Sequence, residues 1–534
     1  MTVDSFCRDS LPPRELWPVM RYDTLPELSA YADRMNCATE LLDRAIERGW
    51  GERTALIAPG ARWTYRDLLE TSNRIAHVLV DDLGLIPGGR VLLRGPNNPM
   101  LVACWFAVLK AGGVVVCTMP LLRTRELAFT AEKARIGLAL TDTRFAADCE
   151  AAMPNGRVVH YGAPDAPGSL EQLMAGKPSA FANVDTAADD TALIAFTSGT
   201  TGQGKGTMHF HRDVLAICDC FPKYVLRPRE DDVFIGSPPL AFTFGLGGLV
   251  LFPLRVGAAG VLLEQGTPPN LIKGIEEFGA TVCFTAPTAY RAMCGLLAAH
   301  DISSLRECVS AGETLPRPTF DAWHDKTGIR IIDGIGSTEM LHIFISASGD
   351  AIRPGATGRP VPGYEAKVID ADGRDVPDGE IGRLAVRGPT GCRYLDNVER
   401  QRAYVQDGWN ITGDSYRRDA DGYYWYQART DDMIISSGYN ISGPEVESIL
   451  LLHPAVHECG VVGAPDSDRG QIVKAFVVLK PGFTPGPDLT KELQDFVKAE
   501  IAPYKYPRAV VFTDALPRTD TGKLQRFRLR EETA

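Results

Sequence analysis

The chain has 534 residues, of which 45% are hydrophobic and 23% are charged, and its formal net charge is −11. A chain of this length exceeds one hydrophobic core and predicts two or more domains. Its acidic balance, without a concentrated basic patch, argues against a nucleic-acid partner. A small anionic ligand would therefore need a local group of cationic side chains.

Targeting and membrane signals are weak. Residues 1–18 mix acids, bases and prolines without an apolar stretch, which argues against export and makes the cytoplasm the expected location. Residues 241–254 are almost uncharged but too few to cross a bilayer, so we expect a buried segment that lines a pocket and no membrane partner.

Among the twelve cysteines only Cys218 and Cys220 lie close together, a spacing typical of neither zinc nor redox sites, so reduced thiols are expected.

Alternating helix and strand patterns begin near residue 64. The predicted elements are a helix from residue 64, a strand at 90–94, a helix at 100–110 and a strand at 114–117. This alternation predicts α/β crossover units with parallel strands. Residues 162–190 lack periodicity and are expected to run over the surface.

The sequence pattern changes after about residue 430. The predicted elements there are a helix at 444–452, strands at 456–462 and 472–479, and a helix at 489–501. These elements predict a small α+β domain after a large α/β domain. The fold class is therefore α/β, with an N-terminal domain at residues 1–430 and a C-terminal domain at 431–534.

Residues 197–206 read Thr-Ser-Gly-Thr-Thr-Gly-Gln-Gly-Lys-Gly. Glycines let the backbone approach a ligand closely, successive N–H groups form an anion-binding concavity, and Lys205 adds a mobile positive charge. A solvated linker is the alternative, but the apolar run at 191–196 predicts a buried strand directly before the loop. Gly206 stands where a Walker A loop needs Ser or Thr, so that motif is excluded. The loop predicts a nucleotide phosphate site.

Further motifs carry groups suited to a magnesium nucleotide. Residues 333–339 read Asp-Gly-Ile-Gly-Ser-Thr-Glu, and a carboxylate next to a hydroxyl can share Mg²⁺ with phosphates. Asp414 and Arg429 can bind vicinal ribose hydroxyls, although in isolation these short motifs favour a surface Asp and a surface Arg in two turns. Lys523 follows a glycine turn near the end of the chain, where lysines are usually solvated.

Taken in order, these motifs resemble the adenylate-forming superfamily of acyl-CoA synthetases, nonribosomal adenylation domains and luciferases. The resemblance runs through nearly the whole chain and rests on the phosphate loop, Ser310-Ala311-Gly312-Glu313, Gly336-Ser337-Thr338-Glu339, Thr412-Gly413-Asp414, Arg429 with Asp431, and Gly522-Lys523. It implies two half-reactions. A carboxylate attacks the α-phosphate of ATP to give an acyl-adenylate and pyrophosphate, and the thiolate of coenzyme A then displaces AMP.

The resemblance also implies a role for each motif. The phosphate-binding residues would be Thr197, Ser198, Gly199, Thr200, Thr201, Gly202 and Lys205. The adenine-binding residues would be Ala311, Gly312, Glu313, Asp333, Gly334, Ile335 and Gly336. The catalytic residues would be Thr338 at the α-phosphate, Glu339 as the Mg²⁺ ligand and Lys523 between the acid and the α-phosphate, with Asp414 and Arg429 on the ribose.

In this superfamily the C-terminal domain turns about a hinge between the half-reactions. Asp431 stands at the hinge position, and Gly438 in the loop 436–440 would leave room for the pantetheine arm of CoA. Two departures limit the comparison. Gly204 stands where proline is frequent, and Ile335 stands where an aromatic residue often stacks on adenine.

The stretch Asp-Gly-Ile-Gly-Ser-Thr-Glu-Met-Leu-His-Ile-Phe is especially similar to benzoate-type aryl-CoA ligases. The resemblance implies that the aromatic ring of the acid is surrounded by Thr243, Phe244, Gly336, His342 and Ile343. Residues 238–248 are most similar to 2-aminobenzoate-CoA ligases, in which the Thr243 hydroxyl would accept a hydrogen bond from the ortho amino group. A core role for His342, and a packing role for the Thr243 methyl group, stay open.

Other functions remain as alternatives. The acid could be benzoate or a hydroxybenzoate, and the acceptor could be a separate carrier protein, since the chain leaves no room for a fused one. A binding protein that has lost its activity is disfavoured because Lys205, Glu339 and Lys523 are all present. A homodimer is left open.

Overall fold

The computed structural model describes residues 2–197, 204–429, 432–436, 439–466, 469–519 and 522–533. The α-helices in these ranges are α1 (Phe6–Asp9), α2 (Pro26–Ser29), α3 (Arg44–Glu47), α4 (Tyr65–His77), α5 (Pro99–Lys110), α6 (Thr124–Lys133), α7 (Ala146–Ala152), α8 (Leu170–Met174), α9 (His211–Asp219), α10 (Thr243–Leu246), α11 (Phe252–Val256), α12 (Pro268–Phe278), α13 (Pro287–Met293), α14 (Arg317–Thr327), α15 (Val398–Tyr404), α16 (Gly443–Leu450), α17 (Pro487–Glu500) and α18 (Arg526–Glu531). None of the helices in these ranges has the length and apolar character that a bilayer crossing requires.

The β-strands are β1 (Thr54–Ala58), β2 (Ala61–Thr64), β3 (Arg90–Arg94), β4 (Val114–Thr118), β5 (Leu138–Asp142), β6 (Arg157–Tyr161), β7 (Thr191–Thr197), β8 (Lys205–Phe210), β9 (Val233–Gly236), β10 (Ala259–Val261), β11 (Val282–Thr285), β12 (Glu307–Ser310), β13 (Ile331–Gly336), β14 (Ile343–Ser346), β15 (Arg359–Pro360), β16 (Glu365–Ile369), β17 (Ile381–Arg387), β18 (Val405–Gln406), β19 (Trp409–Arg418), β20 (Tyr424–Arg429), β21 (Ile434–Ser436), β22 (Tyr439–Ile441), β23 (Val456–Asp466), β24 (Gly470–Leu479) and β25 (Ala509–Phe512).

In the described part of the chain these strands form four sheets. A nine-stranded sheet has the order β15-β14-β13-β12-β11-β9-β10-β1-β2, and a six-stranded sheet has the order β6-β5-β3-β4-β7-β8. A five-stranded sheet contains β16 to β20, and another contains β21 to β25. The predicted α/β class is confirmed, with the nucleotide motifs distributed over the first three sheets.

The predicted crossover units are present in the six-stranded sheet. β3 pairs in parallel with β4 and with β5. The first predicted helix, α4, begins where the Thr64 hydroxyl accepts from the Asp67 N–H and the Asp67 carboxylate accepts from the Thr64 N–H, a reciprocal pair that caps the first turn. Because α5 is apolar on every side, it is buried along almost its whole length between neighbouring elements.

Two expectations about individual segments can be compared with the structure. In the uncharged stretch, residues 241–244 are half-buried and residues 245–254 are buried, as predicted, in α10, α11 and the π-helix Gly247–Leu251 that joins them. Residues 162–190 are mostly irregular, but α8 interrupts them because Leu170 is fully buried and anchors that turn in the core. Cys218 and Cys220 are buried free thiols, as expected.

The last sheet belongs to the small C-terminal region. Its strand β23 extends to Asp466, beyond the predicted strand end at residue 462, because it stays paired with β24 as far as Asp466 and Gly470. α16 and α17 cover one face of this sheet around a separate apolar cluster that includes Val446, Val461 and Leu493. Residues 430 and 431 lie outside the described ranges, so the domain boundary between them stays a prediction.

Candidate active site

The glycine-rich loop joins two strands of the six-stranded sheet. β7 and β8 run antiparallel, and Thr197 at the end of β7 pairs with Lys205 at the start of β8. The buried strand predicted before the loop is therefore present. Five of the predicted phosphate-binding residues lie outside the described ranges, namely Ser198, Gly199, Thr200, Thr201 and Gly202. The strand pairing brings the two ends of the loop together.

Lys205 lies close to Glu339, the predicted metal ligand. Burial lowers the pKa of Lys205, the charges of Arg400 and Arg429 lower it further, and the Glu339 carboxylate raises it. Charges act on a pKa in this way within a Debye length, roughly 10 Å, so these groups share one region of the fold. The fold therefore brings together a lysine, a carboxylate and two arginines from four separate segments. Arg400 has no counterpart among the predicted site residues.

Thr338 and Glu339 lie in the turn between β13 and β14. The buried His209 ring approaches the Thr338 carbonyl oxygen at 2.8 Å through Nε2. Because burial lowers the pKa of His209 to about 4, the ring is neutral at pH 7 and Nε2 is the nitrogen that donates. The Tyr394 hydroxyl donates to Oε1 of Glu339 at 2.7 Å. No spacing in the sequence signals either of these supporting residues.

The two stretches predicted to bind adenine lie side by side. β12 runs parallel to β13 with Ser310 opposite Asp333, so residues 311–313 leave the sheet at the same edge. Gly312 has φ +90°, a conformation that favours glycine. Within the described residues, one oxygen of the Asp333 carboxylate is enclosed without a hydrogen-bond partner. Burial raises the pKa of Asp333 to about 8.

The end of β13 links the adenine stretch to the predicted acid pocket. Gly334, Ile335 and Gly336 pair with β14, and the register shifts between Ile335 and Gly336. Gly336 lies opposite Ile343, and a Cβ at Gly336 would lie 2.7 Å from the His342 carbonyl oxygen. The strand pairing therefore requires glycine at this position.

Asp414 and Arg429 face each other across β19 and β20. Arg429 donates to Oδ1 of Asp414 at 3.0 Å. Burial raises the pKa of Asp414, and the Arg429 charge lowers it. Gly413 has φ +77°, and a Cβ there would lie 3.0 Å from Nη2 of Arg429. The predicted carboxylate and guanidinium are thus one ion pair, and the alternative of two unrelated surface turns is excluded.

Lys523 belongs to the C-terminal region, and its side chain lies against the adenine-binding stretch. A Cβ built on Gly312 would lie 3.6 Å from Cε of Lys523 and 3.9 Å from its Nζ, so the lysine side chain packs on this glycine. Partial removal from water and the positive charge of Arg429 lower the pKa of Lys523, whereas the carboxylates of Glu313 and Asp414 raise it. Lys523 is thus exposed to solvent but lies against the adenine-binding stretch, and its catalytic role stays a prediction.

Arg518 fixes the loop that carries Lys523. Its guanidinium donates to the Gly522 carbonyl oxygen at 2.7 Å and to the Glu458 carboxylate at 2.6 Å. It also lies 3.8 Å from the Glu313 carboxylate, a residue of the adenine stretch. Arg518 thus connects the lysine loop to the large domain, and the sequence motifs did not identify it.

Aromatic rings surround the imidazole of His342, one of the predicted acid-pocket residues. Thr243 and Phe244 begin α10. The His342 ring lies 5.7 Å from the Phe244 ring, 4.5 Å from Phe252 and 5.8 Å from Phe221, between centroids. The Phe244 backbone is a polar neighbour of the ring and raises its pKa, but burial dominates and lowers the pKa of His342 to about 3. His342 is therefore neutral at pH 7, and a core role for it stays open.

Asp431, the predicted hinge, and Gly438, predicted to line the path of CoA, lie outside the described residues. Their roles stay predictions. In the rest of the described chain, no group of three or more His, Cys, Asp or Glu side chains is arranged to hold a metal ion. A metal here would therefore need ligands from the nucleotide as well as from Glu339.

Comparison with known families agrees with this arrangement. The model of the AMP-binding enzymes matches residues 42–394, and that of the AMP-binding enzyme C-terminal domain matches residues 445–523. The chain belongs to this family, in which ATP and CoA are substrates of the CoA ligases, and it is an AMP-forming acid–thiol ligase. The adenylate-forming fold inferred from the motifs is thereby confirmed.

Within the family the chain is similar to aryl-CoA ligases. It is 36% identical to the benzoate–CoA ligase of Thauera aromatica, over 96% of this chain and 99% of that protein. It is 33% identical to the 3-hydroxybenzoate–CoA ligase of Aromatoleum sp. (strain CIB), over 94% and 98%. The crystal structure of the anthranilate CoA ligase AuaEII in complex with anthranoyl-AMP has a TM-score of 0.90 and 36% identity, over 95% and 98%. The protein is thus a ligase of the benzoate–CoA ligase type.

Proposed function

We propose that this protein joins 2-aminobenzoate to coenzyme A at the expense of ATP. In the first half-reaction an oxygen of the acid attacks the α-phosphorus of ATP, the bond to the β-phosphate breaks, and pyrophosphate leaves. In the second, the CoA thiolate attacks the carbonyl carbon of the aryl-adenylate and AMP leaves. The family supports this reaction, and the acid pocket supports the choice of acid.

The nucleotide would lie across the edges of three sheets. Residues 197–205 would hold the β- and γ-phosphates, Thr338 the α-phosphate, and residues 311–313 with 333–336 the adenine. Asp414 and Arg429 would bind the ribose hydroxyls, a role supported by their 3.0 Å ion pair. The enclosed Asp333 oxygen has no protein partner among the described residues, so a polar group of the base would satisfy it.

Glu339 suits a magnesium ion that is shared with the nucleotide. One carboxylate oxygen accepts from Tyr394, and the other has no partner in the described part of the chain. A hard oxygen ligand with a free lone pair, used together with phosphates and water, matches the way in which Mg²⁺ is usually bound. When bound there, Mg²⁺ would neutralise charge on the phosphates during pyrophosphate departure.

Lys523 would stabilise the negative charge that builds between the acid and the α-phosphate. Its contact with Gly312 and the nearby carboxylates of Glu313 and Asp414 support a position at the adenylation site. A preorganised cation at such a point acts mainly on the transition state. For the second half-reaction, a rotation at Asp431 would remove Lys523 and bring Gly438 to the CoA path.

One observation carries the choice of acid. His342 is 2% exposed, is surrounded by aromatic rings and has at least one ring nitrogen without a protein partner in the described structure. A neutral imidazole offers one donor and one acceptor, so it can pair with an amino substituent on a bound ring. Thr243 at the start of α10 adds a hydroxyl that can accept from the same amine. An unsubstituted benzoate ring would leave these groups unpaired.

A substrate panel tests this choice. Pyrophosphate release is measured with 2-aminobenzoate, benzoate and the three hydroxybenzoates, with and without CoA, in the wild type, Thr243→Val and Thr243→Ser. We expect kcat/KM to be highest for 2-aminobenzoate. Sustained turnover should require CoA. Thr243→Val should shift preference toward benzoate by roughly 5- to 150-fold. The reason is that the amino group of 2-aminobenzoate would lose its acceptor, at a cost of about 1–3 kcal/mol. Thr243→Ser keeps the hydroxyl and should keep the preference.

The same assay separates the alternatives. Benzoate or 3-hydroxybenzoate as the best acid would contradict the choice of 2-aminobenzoate and would agree with the relatives that carry those names. Adenylation without any CoA-dependent thioester would indicate a carrier protein as the acceptor. An unchanged preference in Thr243→Val would remove Thr243 from the recognition of the amine.

A further inference from the structure

Tyr394 holds one side of the predicted metal ligand. Its ring is 1% exposed, and its hydroxyl donates to Oε1 of Glu339 at 2.7 Å. The other oxygen of that carboxylate is free of protein partners in the described ranges. A carboxylate held by one oxygen can present the second oxygen in a fixed direction.

The backbone of Tyr394 is itself held from two sides. It forms a bridge with Thr207 of β8, the strand that begins at the phosphate loop. Its N–H donates to the Gln401 side chain at 2.9 Å, and that amide donates in turn to the carbonyl oxygens of Cys392 and Leu16, each at 2.9 Å. The phenol is therefore positioned by packing before any ligand binds.

A second phenol lies against the first. The rings of Tyr394 and Tyr404 are 5.7 Å apart between centroids, edge to face. Tyr404 is 9% exposed, and its enclosed hydroxyl lies beside the Ser337 side chain without a hydrogen bond of good geometry among the described residues. Because Tyr394 contacts both groups, the Tyr404 ring lies one side chain away from the Glu339 carboxylate. A buried hydroxyl without a partner calls for an explanation, and a bound ligand group supplies one.

We propose that Tyr394 and Tyr404 are positioning residues for the magnesium nucleotide. Tyr394 orients Glu339 so that its free oxygen faces the metal. The Tyr404 hydroxyl pairs with an oxygen of the bound magnesium nucleotide. This inference rests on the proposed role of Glu339 as the magnesium ligand.

Magnesium-dependent nucleotide binding tests the inference without turnover. The full chain is titrated calorimetrically with α,β-methylene-ATP, whose α–β linkage cannot be cleaved, over a range of magnesium chloride concentrations and in EDTA. Tyr394→Phe should raise the half-saturating magnesium concentration by roughly 10-fold or more, as outer partners of metal ligands do, and should leave binding in EDTA unchanged. Tyr404→Phe should weaken binding of the magnesium complex by roughly 2- to 10-fold.

Tyr65→Phe is the matched control. Tyr65 is fully buried and donates to the Ala258 carbonyl oxygen at 2.8 Å, so this variant loses a buried phenol hydroxyl elsewhere. Its magnesium requirement should equal that of the wild type. An unchanged requirement in Tyr394→Phe, or an equal shift in Tyr65→Phe, overturns the inference. Glu339→Gln separates the two proposals, because an unchanged magnesium requirement in that variant contradicts the role of Glu339 itself.

Discussion

Asp333 should make the stability of this protein depend on pH in a way that Asp333→Asn removes. One of its carboxylate oxygens is enclosed without a partner in the described structure, and burial raises its pKa to about 8 from an ordinary value of 3.8. Asparagine has nearly the same shape but does not ionise. The substitution therefore isolates the cost of charging this buried group.

The sign follows from proton binding. Between about pH 4 and pH 8 the folded protein holds a proton on Asp333 that the unfolded chain has released. The contribution of this carboxyl to stability is thus fully present below about pH 4 and is lost as the pH rises toward 8. The slope is about 1.4 kcal/mol per pH unit, so the free energy of unfolding of Asp333→Asn relative to the wild type should rise by up to about 4 kcal/mol between pH 5 and pH 8.

Urea unfolding at several pH values, followed by tryptophan fluorescence, measures this difference. Asp350→Asn is the control for the same substitution at an exposed carboxylate, since the Asp350 side chain is fully exposed. Parallel curves for the wild type and Asp333→Asn across this range would refute the reasoning, because they would mean that the buried carboxyl does not retain its proton.

Two further variants test the catalytic lysine and the acid pocket. Lys523→Ala should slow adenylation, measured by ATP–pyrophosphate exchange, by about 10²- to 10³-fold, and should affect thioester formation from supplied aryl-adenylate much less. Equal losses in both assays would contradict a role confined to the first half-reaction. A Cβ at Gly247 would lie 2.4 Å from Cδ2 of His342, so Gly247→Ala should displace the imidazole and raise the KM for the acid by roughly 5- to 150-fold. The KM for ATP should not change, and a parallel rise in both would indicate general disruption.

Local sequence patterns predicted the strand before the phosphate loop and the first elements of the same sheet. The strand before the phosphate loop and the helix–strand alternation after residue 64 agree with β7, α4, β3, α5 and β4 to within one or two residues. These segments have strong periodicity and clear ends, such as the capping pair at Thr64 and Asp67. Strand ends set by long-range pairing, such as the extension of β23 to Asp466, were not predictable in this way.

The supporting residues of the site had no sequence signal. Tyr394 reaches Glu339, His209 reaches the Thr338 carbonyl, and Arg518 reaches the lysine loop only because the folded chain brings distant segments together. Single tyrosines, histidines and arginines are common at any spacing. Their roles depend on distances that no local pattern encodes.

The sequence by itself determined the order of the motifs, the glycines that permit close backbone approach, and the chemical type of each reactive group. The tertiary structure decided which of those groups are neutral, paired or free. Burial keeps His342 uncharged and raises the pKa of Asp333, and strand pairing joins Asp414 to Arg429. The physical reason is that a side chain's charge and hydrogen bonding depend on the atoms around it, and most of those atoms come from parts of the chain far away in sequence.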